Sequence, residues 1–106
     1  MQVNISSVKF KADQKLLDFI KLKVDKLQNY YEGVLGGDVI LKMNAIPKFI
    51  DLKDNKITEI KLMIKGDDIF AKKQSKSFEE STDMAVEALR RQLRKHKGKL
   101  VDSNRK

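Results

Sequence analysis

The chain opens on an alternation. In MQVNISS, Val3 and Ile5 fall on one side and Gln2 and Asn4 on the other, the two-residue period of a half-buried strand. The period then lengthens. Leu16, Leu17, Ile20, Val24, Leu27 and Tyr31 recur at spacings of three and four, which gathers them on one face of a helix. Asp13 stands where an N-cap is needed, and Tyr30-Tyr31-Glu32-Gly33 where that helix should stop. Phe19 falls at the edge of the stripe and Leu22 off it, so Leu22 is expected to be exposed. Gly36-Gly37 is expected to break the chain before a second strand, Asp38 to Met43, with Val39, Leu41 and Met43 inward. From Asn44 to Asn55 charged and apolar residues mix around Pro47, which reads as a long, partly ordered connection. Ile57 to Ile64 alternates again, with Ile60, Leu62 and Ile64 on one side. Lys65-Gly66-Asp67-Asp68 supplies a tight turn, and Ile69 to Lys73 a fourth strand with Ile69 and Ala71 inward. Ser77-Phe78-Glu79-Glu80 has the spacing of a capping box. The helix behind it carries Phe78, Thr82, Ala85, Val86, Leu89 and Leu93 on its apolar stripe and is expected to end at Gly98.

The element order is β-α-β-β-β-α. The first two strands flank a helix, so as neighbours they are parallel; the last two form a hairpin. Each helix and each strand has one apolar side, and the simplest packing is an α+β two-layer sandwich. It consists of a four-stranded mixed sheet with both helices on one face. The other face would present Gln2, Asn4, Ile40, Lys42, Glu59, Lys61, Met63 and Lys65, which are mostly polar. Residues 1–101 form one domain on this reading, and 102–106 a frayed polar tail.

Composition narrows the class. The chain has 106 residues, enough for one core. At 41% hydrophobic and 36% charged it is too apolar for a disordered polycation and too charged for a membrane protein. With no Cys, disulfide scaffolds, zinc knuckles and thiol catalysis are excluded. Neither a signal peptide nor a spanning segment is visible, so a cytoplasmic, soluble protein is expected.

Charge changes the picture further. Lys and Arg number 23 against 15 Asp and Glu, a net +8. The stretch from Asp13 to Tyr31 is nearly balanced, and both signs alternate from Lys42 to Lys76. The excess lies between Leu89 and Lys99, where Arg90, Arg91, Arg94, Lys95, Lys97 and Lys99 occur with no acid among them. Complementing a helix dipole accounts for one or two cations near a C-terminus, not for all of these. An anionic partner, nucleic acid first, fits better. At 100° per residue, Arg90, Arg94 and Lys97 lie on one flank of the stripe and Arg91, Lys95 and Lys99 on the other. Lys15, Lys23 and Lys26 share one side of the first helix. Side-by-side helices would merge these into a basic groove suited to an RNA backbone.

Catalysis finds no footing. His96 falls on the apolar stripe among basic neighbours, with no orienting carboxylate, and reads as a packing or RNA-contact residue. Asp67-Asp68 is turn chemistry rather than a metal pair, and no phosphate loop occurs. No metal and no cofactor are expected, and no enzyme. Tyr30, Tyr31, Phe49 and Phe70 are able to stack on bases, but their positions read as core or turn packing.

Several segments carry a family resemblance. RQLRKHKGKL (91–100), the opening MQVNISS, DFIKLKVDKLQNYY (18–31), DVILKM (38–43) and the hairpin around Gly66 occur in one order. Together they resemble the ribosome hibernation-promoting factors, also called ribosome-associated translation inhibitors or sigma-factor modulation proteins, over nearly the whole chain. The resemblance implies the same β-α-β-β-β-α fold. It also implies binding to the small ribosomal subunit and its rRNA at the decoding region, where mRNA and tRNA sites are occluded and translation stops under stress or in stationary phase. Carried over by position, the RNA-binding residues are Lys23, Lys26, Arg91, Lys95, Lys97 and Lys99; the charge pattern alone adds Arg90 and Arg94. Long members carry a second, dimerising domain, so this chain is expected to act as a short, monomeric form. The alternative reading is a general double-stranded RNA-binding module. The acidic start of the last helix (Glu79, Glu80, Asp83) counts against it, because that class usually places basic residues there.

Overall fold

The structure is a computed structural model that describes residues 1–44 and 54–104, and the side chains of 1–44 and 54–97. The expected connection around Pro47 lies almost wholly outside the described residues, as does the side chain of Lys99.

Strand β1 (Gln2–Ser7) leads through Phe10 to helix α1 (Gln14–Asp25), which tightens into a 3₁₀ turn (Lys26–Asn29). Strands β2 (Val34–Met43), β3 (Lys56–Ile64) and β4 (Asp67–Ser75) follow, then helix α2 (Phe78–Asn104). The sheet order is β1-β2-β3-β4. β1 and β2 are parallel, with Val3 opposite Gly37 and Ile5 opposite Val39. The other pairs are antiparallel, aligning Ile60 with Val39 on one side and Ala71 on the other. This is the α+β sandwich expected, with α2 against β3 and β4 and α1 beside it.

Local chemistry sets the element starts. The Asp13 carboxylate accepts from the Leu16 N–H at 2.8 Å, and the Ser77 hydroxyl from the Glu80 N–H at 3.1 Å. Gly66, at φ 86°, closes the β3–β4 hairpin in the left-handed region that favours glycine. The core joins Ile20, Val24 and Leu27 to Val39, Leu41, Ile60, Leu62, Leu89 and Leu93, all essentially inaccessible to water. Phe10 stacks on Phe78 at 5.0 Å and ties the first loop to the start of α2. Inside the same layer, the buried Thr58 hydroxyl lies 2.7 Å from that of Ser81 and 3.3 Å from that of Thr82. Leu22 is exposed, as its place off the stripe requires.

Three expectations are corrected. Gly36-Gly37 does not break the chain; both residues are buried within β2. At Gly36 the reason for glycine is size, whereas at Gly37 a Cβ would make ordinary contacts. A Cβ on Gly36 would meet the Gln2 carbonyl at 3.1 Å and Met63 Cε at 3.3 Å, and one on Gly37 would meet Val24 Cγ1 at 3.4 Å. Met43, expected inward, is exposed at the end of its strand. Nor does α2 stop at Gly98, since it continues to Asn104. A single helical glycine costs about 1 kcal/mol, which is not enough to end a helix already anchored by its buried stripe.

Candidate nucleic-acid interface

The two helices run in the same direction along the sheet. Lys23 on α1 reaches Asp83 on α2 at 3.3 Å; farther on, Arg90 lies over the Tyr30 ring; farther still, Tyr31 meets His96 edge-to-face at 5.2 Å. This alignment places the start of α1 beside the acidic start of α2. The 3₁₀ turn is thereby set beside the basic stretch of α2.

That stretch is divided as the helical wheel requires. Arg90, Arg94 and Lys97 face the 3₁₀ turn and, with Tyr30, line a cleft of about 180 Å³. Lys95 lies on the opposite flank with Gln92, His96 and Ile69, toward β4. Gln92 donates to the Phe70 carbonyl at 2.9 Å, which satisfies a backbone acceptor of β4. Arg91, Arg94, Lys95 and Lys97 are exposed. Lys26 is exposed on the 3₁₀ turn. Lys23 is half-buried, paired with Asp83 and 5.4 Å above the Phe19 ring, so it belongs to the charge-balanced part of the interhelical seam. The seam is therefore basic only at its far end, and the continuous basic groove expected along both helices is not formed.

Glu87 holds the near end of the basic stretch. Its carboxylate grips Arg90 at 2.5 and 3.0 Å through two guanidinium nitrogens and lies 3.6 Å from Arg91. The Arg90 hydrogen bond holds the Glu87 carboxyl below its usual range, with the charges of Arg90, Arg91 and Arg94 adding to the effect. The same bond raises Arg90. Among the described residues, Arg94, Lys95 and Lys97 make no ion pair.

Because α2 runs to Asn104, Lys97 sits about two turns before its end. The dipole's influence fades within the last turn, so helix-end chemistry does not account for this cluster. The open face of the sheet contrasts with it. There Lys42 pairs with Glu59 at 2.5 Å, Lys61 with Asp68 at 3.6 Å, and Asn4 donates to Asp38 at 3.1 Å. Uncompensated positive charge thus collects on α2 beside the 3₁₀ turn.

Comparison with known proteins decides the family. The family model for the sigma 54 modulation protein / S30EA ribosomal protein matches residues 3–101. The chain belongs to this family. It is 28% identical to the ribosome hibernation promoting factor of Escherichia coli K12 over 100 residues, 94% of this chain and 97% of that one. It is 27% identical to the factor of that name from Pseudomonas putida, over 93% of this chain and 89% of the relative. In fold it resembles a ribosomal subunit interface protein from Coxiella burnetii, with a TM-score of 0.78 and 19% identity over 92% and 99% of the two chains. It also resembles the N-terminal domain of Thermus thermophilus Protein Y, with a TM-score of 0.71 and 18% identity over 90% and 94%. A general double-stranded RNA-binding module finds no support in these matches. No helix among the described residues is long and apolar enough to cross a membrane.

Sequence reasoning assigned Tyr30 to packing and did not single out Glu87. Both were within reach. Adjacent helical residues point about 100° apart, so of Tyr30 and Tyr31 only one can lie on the buried stripe. Glu87 precedes Arg90 and Arg91 by three and four residues, the spacing of helical ion pairs.

Proposed function

We propose that residues 1–101 form a domain that binds the small ribosomal subunit at the decoding region and halts translation by occupying the mRNA and tRNA sites. The observation that carries this reading is the concentration of exposed cations (Arg94, Lys95, Lys97), without an ion pair among the described residues, on one stretch of helix in a chain of a ribosomal family. The buried stripe through Leu89 and Leu93 fixes the helix backbone. Those cations then lose little backbone freedom when they meet phosphate. The mechanism is steric exclusion by a single copy of the chain, acting in the cytoplasm, with no bond made or broken.

The test is co-sedimentation with purified small subunits over a salt series, together with in vitro translation. Wild-type protein is expected to bind with steep salt dependence and to inhibit. Reversal of Arg91, Lys95 and Lys97 to Glu should weaken binding by roughly a hundredfold or more, flatten the logarithmic salt slope by about 2–3, and relieve inhibition. Equal binding by the triple variant removes this surface from consideration. Equal affinity of wild-type protein for a plain RNA duplex removes the specificity for the ribosome.

A further inference from the structure

Tyr30 is anomalous for a tyrosine at the end of an amphipathic helix. Its neighbour Tyr31 packs against the core and His96, yet Tyr30 is 47% exposed. Its backbone is nonetheless fixed, its N–H donating to the Leu27 carbonyl at 3.1 Å. Its ring has a partner on α2. The Arg90 guanidinium lies 5.8 Å from the ring centre, within cation–π range, and is itself clamped by both oxygens of Glu87. The result is a half-exposed aromatic ring with Arg90 against one face and Arg94 and Lys97, one helical turn apart, lining the same cleft.

A second cleft shares Tyr30 and Lys97 and is lined also by Asn29, Tyr31 and Glu32. Glu32 makes that side unfavourable for phosphate. Among the described residues, the cleft of Tyr30, Arg90, Arg94 and Lys97 has no carboxylate in its lining. Aromatic rings bind unstacked bases without needing their sequence, and adjacent cations take the phosphate.

We propose that Tyr30, with Arg94 and Lys97, forms a stacking site for a single splayed-out RNA base and its phosphate, with Glu87 and Arg90 as positioning residues. The identity of that RNA as ribosomal rests on the reading above; the stacking site does not. Stacking is largely indifferent to salt, whereas phosphate contact is not, and this separates the two contributions.

Binding to purified small subunits is measured across a salt series for four variants. Tyr30→Ala and Tyr30→Leu should each weaken binding about tenfold with an unchanged salt slope; Leu keeps apolar bulk but has no flat face. Tyr30→Phe, which keeps the flat ring, should recover most of the binding that Ala and Leu lose. Arg94→Gln should lower the slope by about 1. The chain has no Trp, so Tyr30→Trp gives a single reporter, whose emission should be quenched both by subunits and by a single-stranded ribo-oligonucleotide. If wild-type protein ignores subunits while the Trp variant is still quenched by the oligonucleotide, the ribosomal reading falls and the stacking site stands. If wild type binds subunits and the Ala and Leu variants match it, the stacking site is overturned and the ribosomal reading stands. Absence of both binding and quenching overturns both.

Discussion

Glu87 shows how one side chain tunes a surface. Its bidentate grip on Arg90 removes a charge from the basic stretch while holding the guanidinium over Tyr30. Its pKa is depressed in the folded state, so the pair's stabilisation is complete above the ordinary glutamate range. It is lost as the pH falls through the depressed value. Thermal melts of wild type and Glu87→Gln should therefore differ slightly at neutral pH, with wild type the more stable. That gap should close as the pH falls below the depressed value. A gap that persists there means the pair contributes through packing. Burial gives Thr58 a different weight. Thr58→Val leaves the hydroxyls of Ser81 and Thr82 without that partner inside the core, at a cost of about 1–3 kcal/mol in chemical unfolding.

Among the elements, the helix starts were legible, while the start of β2 and the stop of α2 were not. Asp13 and Ser77 act through bonds to backbone only three residues away, so sequence alone locates them. Ser77→Ala should cost about 1 kcal/mol, read as a lower urea midpoint at constant slope. Glycine is harder to read because its meaning depends on distant neighbours. Gly36 and Gly37 look like a flexible break, yet both lie within β2, and Gly36 supplies room for β1 and Met63. Gly36→Ala forces a contact of 3.1 Å with a backbone carbonyl and should destabilise by about 1–3 kcal/mol. At Gly37 the space is looser, and Ala should be better tolerated there. Gly98 looks like a stop but lies inside a helix that continues to Asn104. Tyr30 and Tyr31 both meet α2, and only Tyr31, the one on the apolar stripe, packs against the core.

Over the whole molecule, topology and the basic stretch were both legible, because periodicity and charge are properties of the chain itself. The pairing of charges was not. Lys23 and Asp83 are 60 residues apart in sequence, and only the side-by-side packing of the helices makes them partners. Strand register, in turn, pairs Lys42 with Glu59 and Lys61 with Asp68 on the open sheet face. Lys61→Gln on that face should leave binding to small subunits within about twofold of wild type in the same co-sedimentation assay. A loss comparable to that of the Arg91, Lys95 and Lys97 variant would mean that the sheet face, too, meets RNA.

The uneven charge of α2 has a kinetic consequence. Along α2 the acidic side chains (Glu79, Glu80, Asp83) stand in the first two turns and Arg94, Lys95 and Lys97 farther on, so that helix carries its charge unevenly along its length. In the field of a polyanion such a body experiences a torque before it makes contact. It turns in flight, basic end leading, and fewer collisions are wasted on the wrong face.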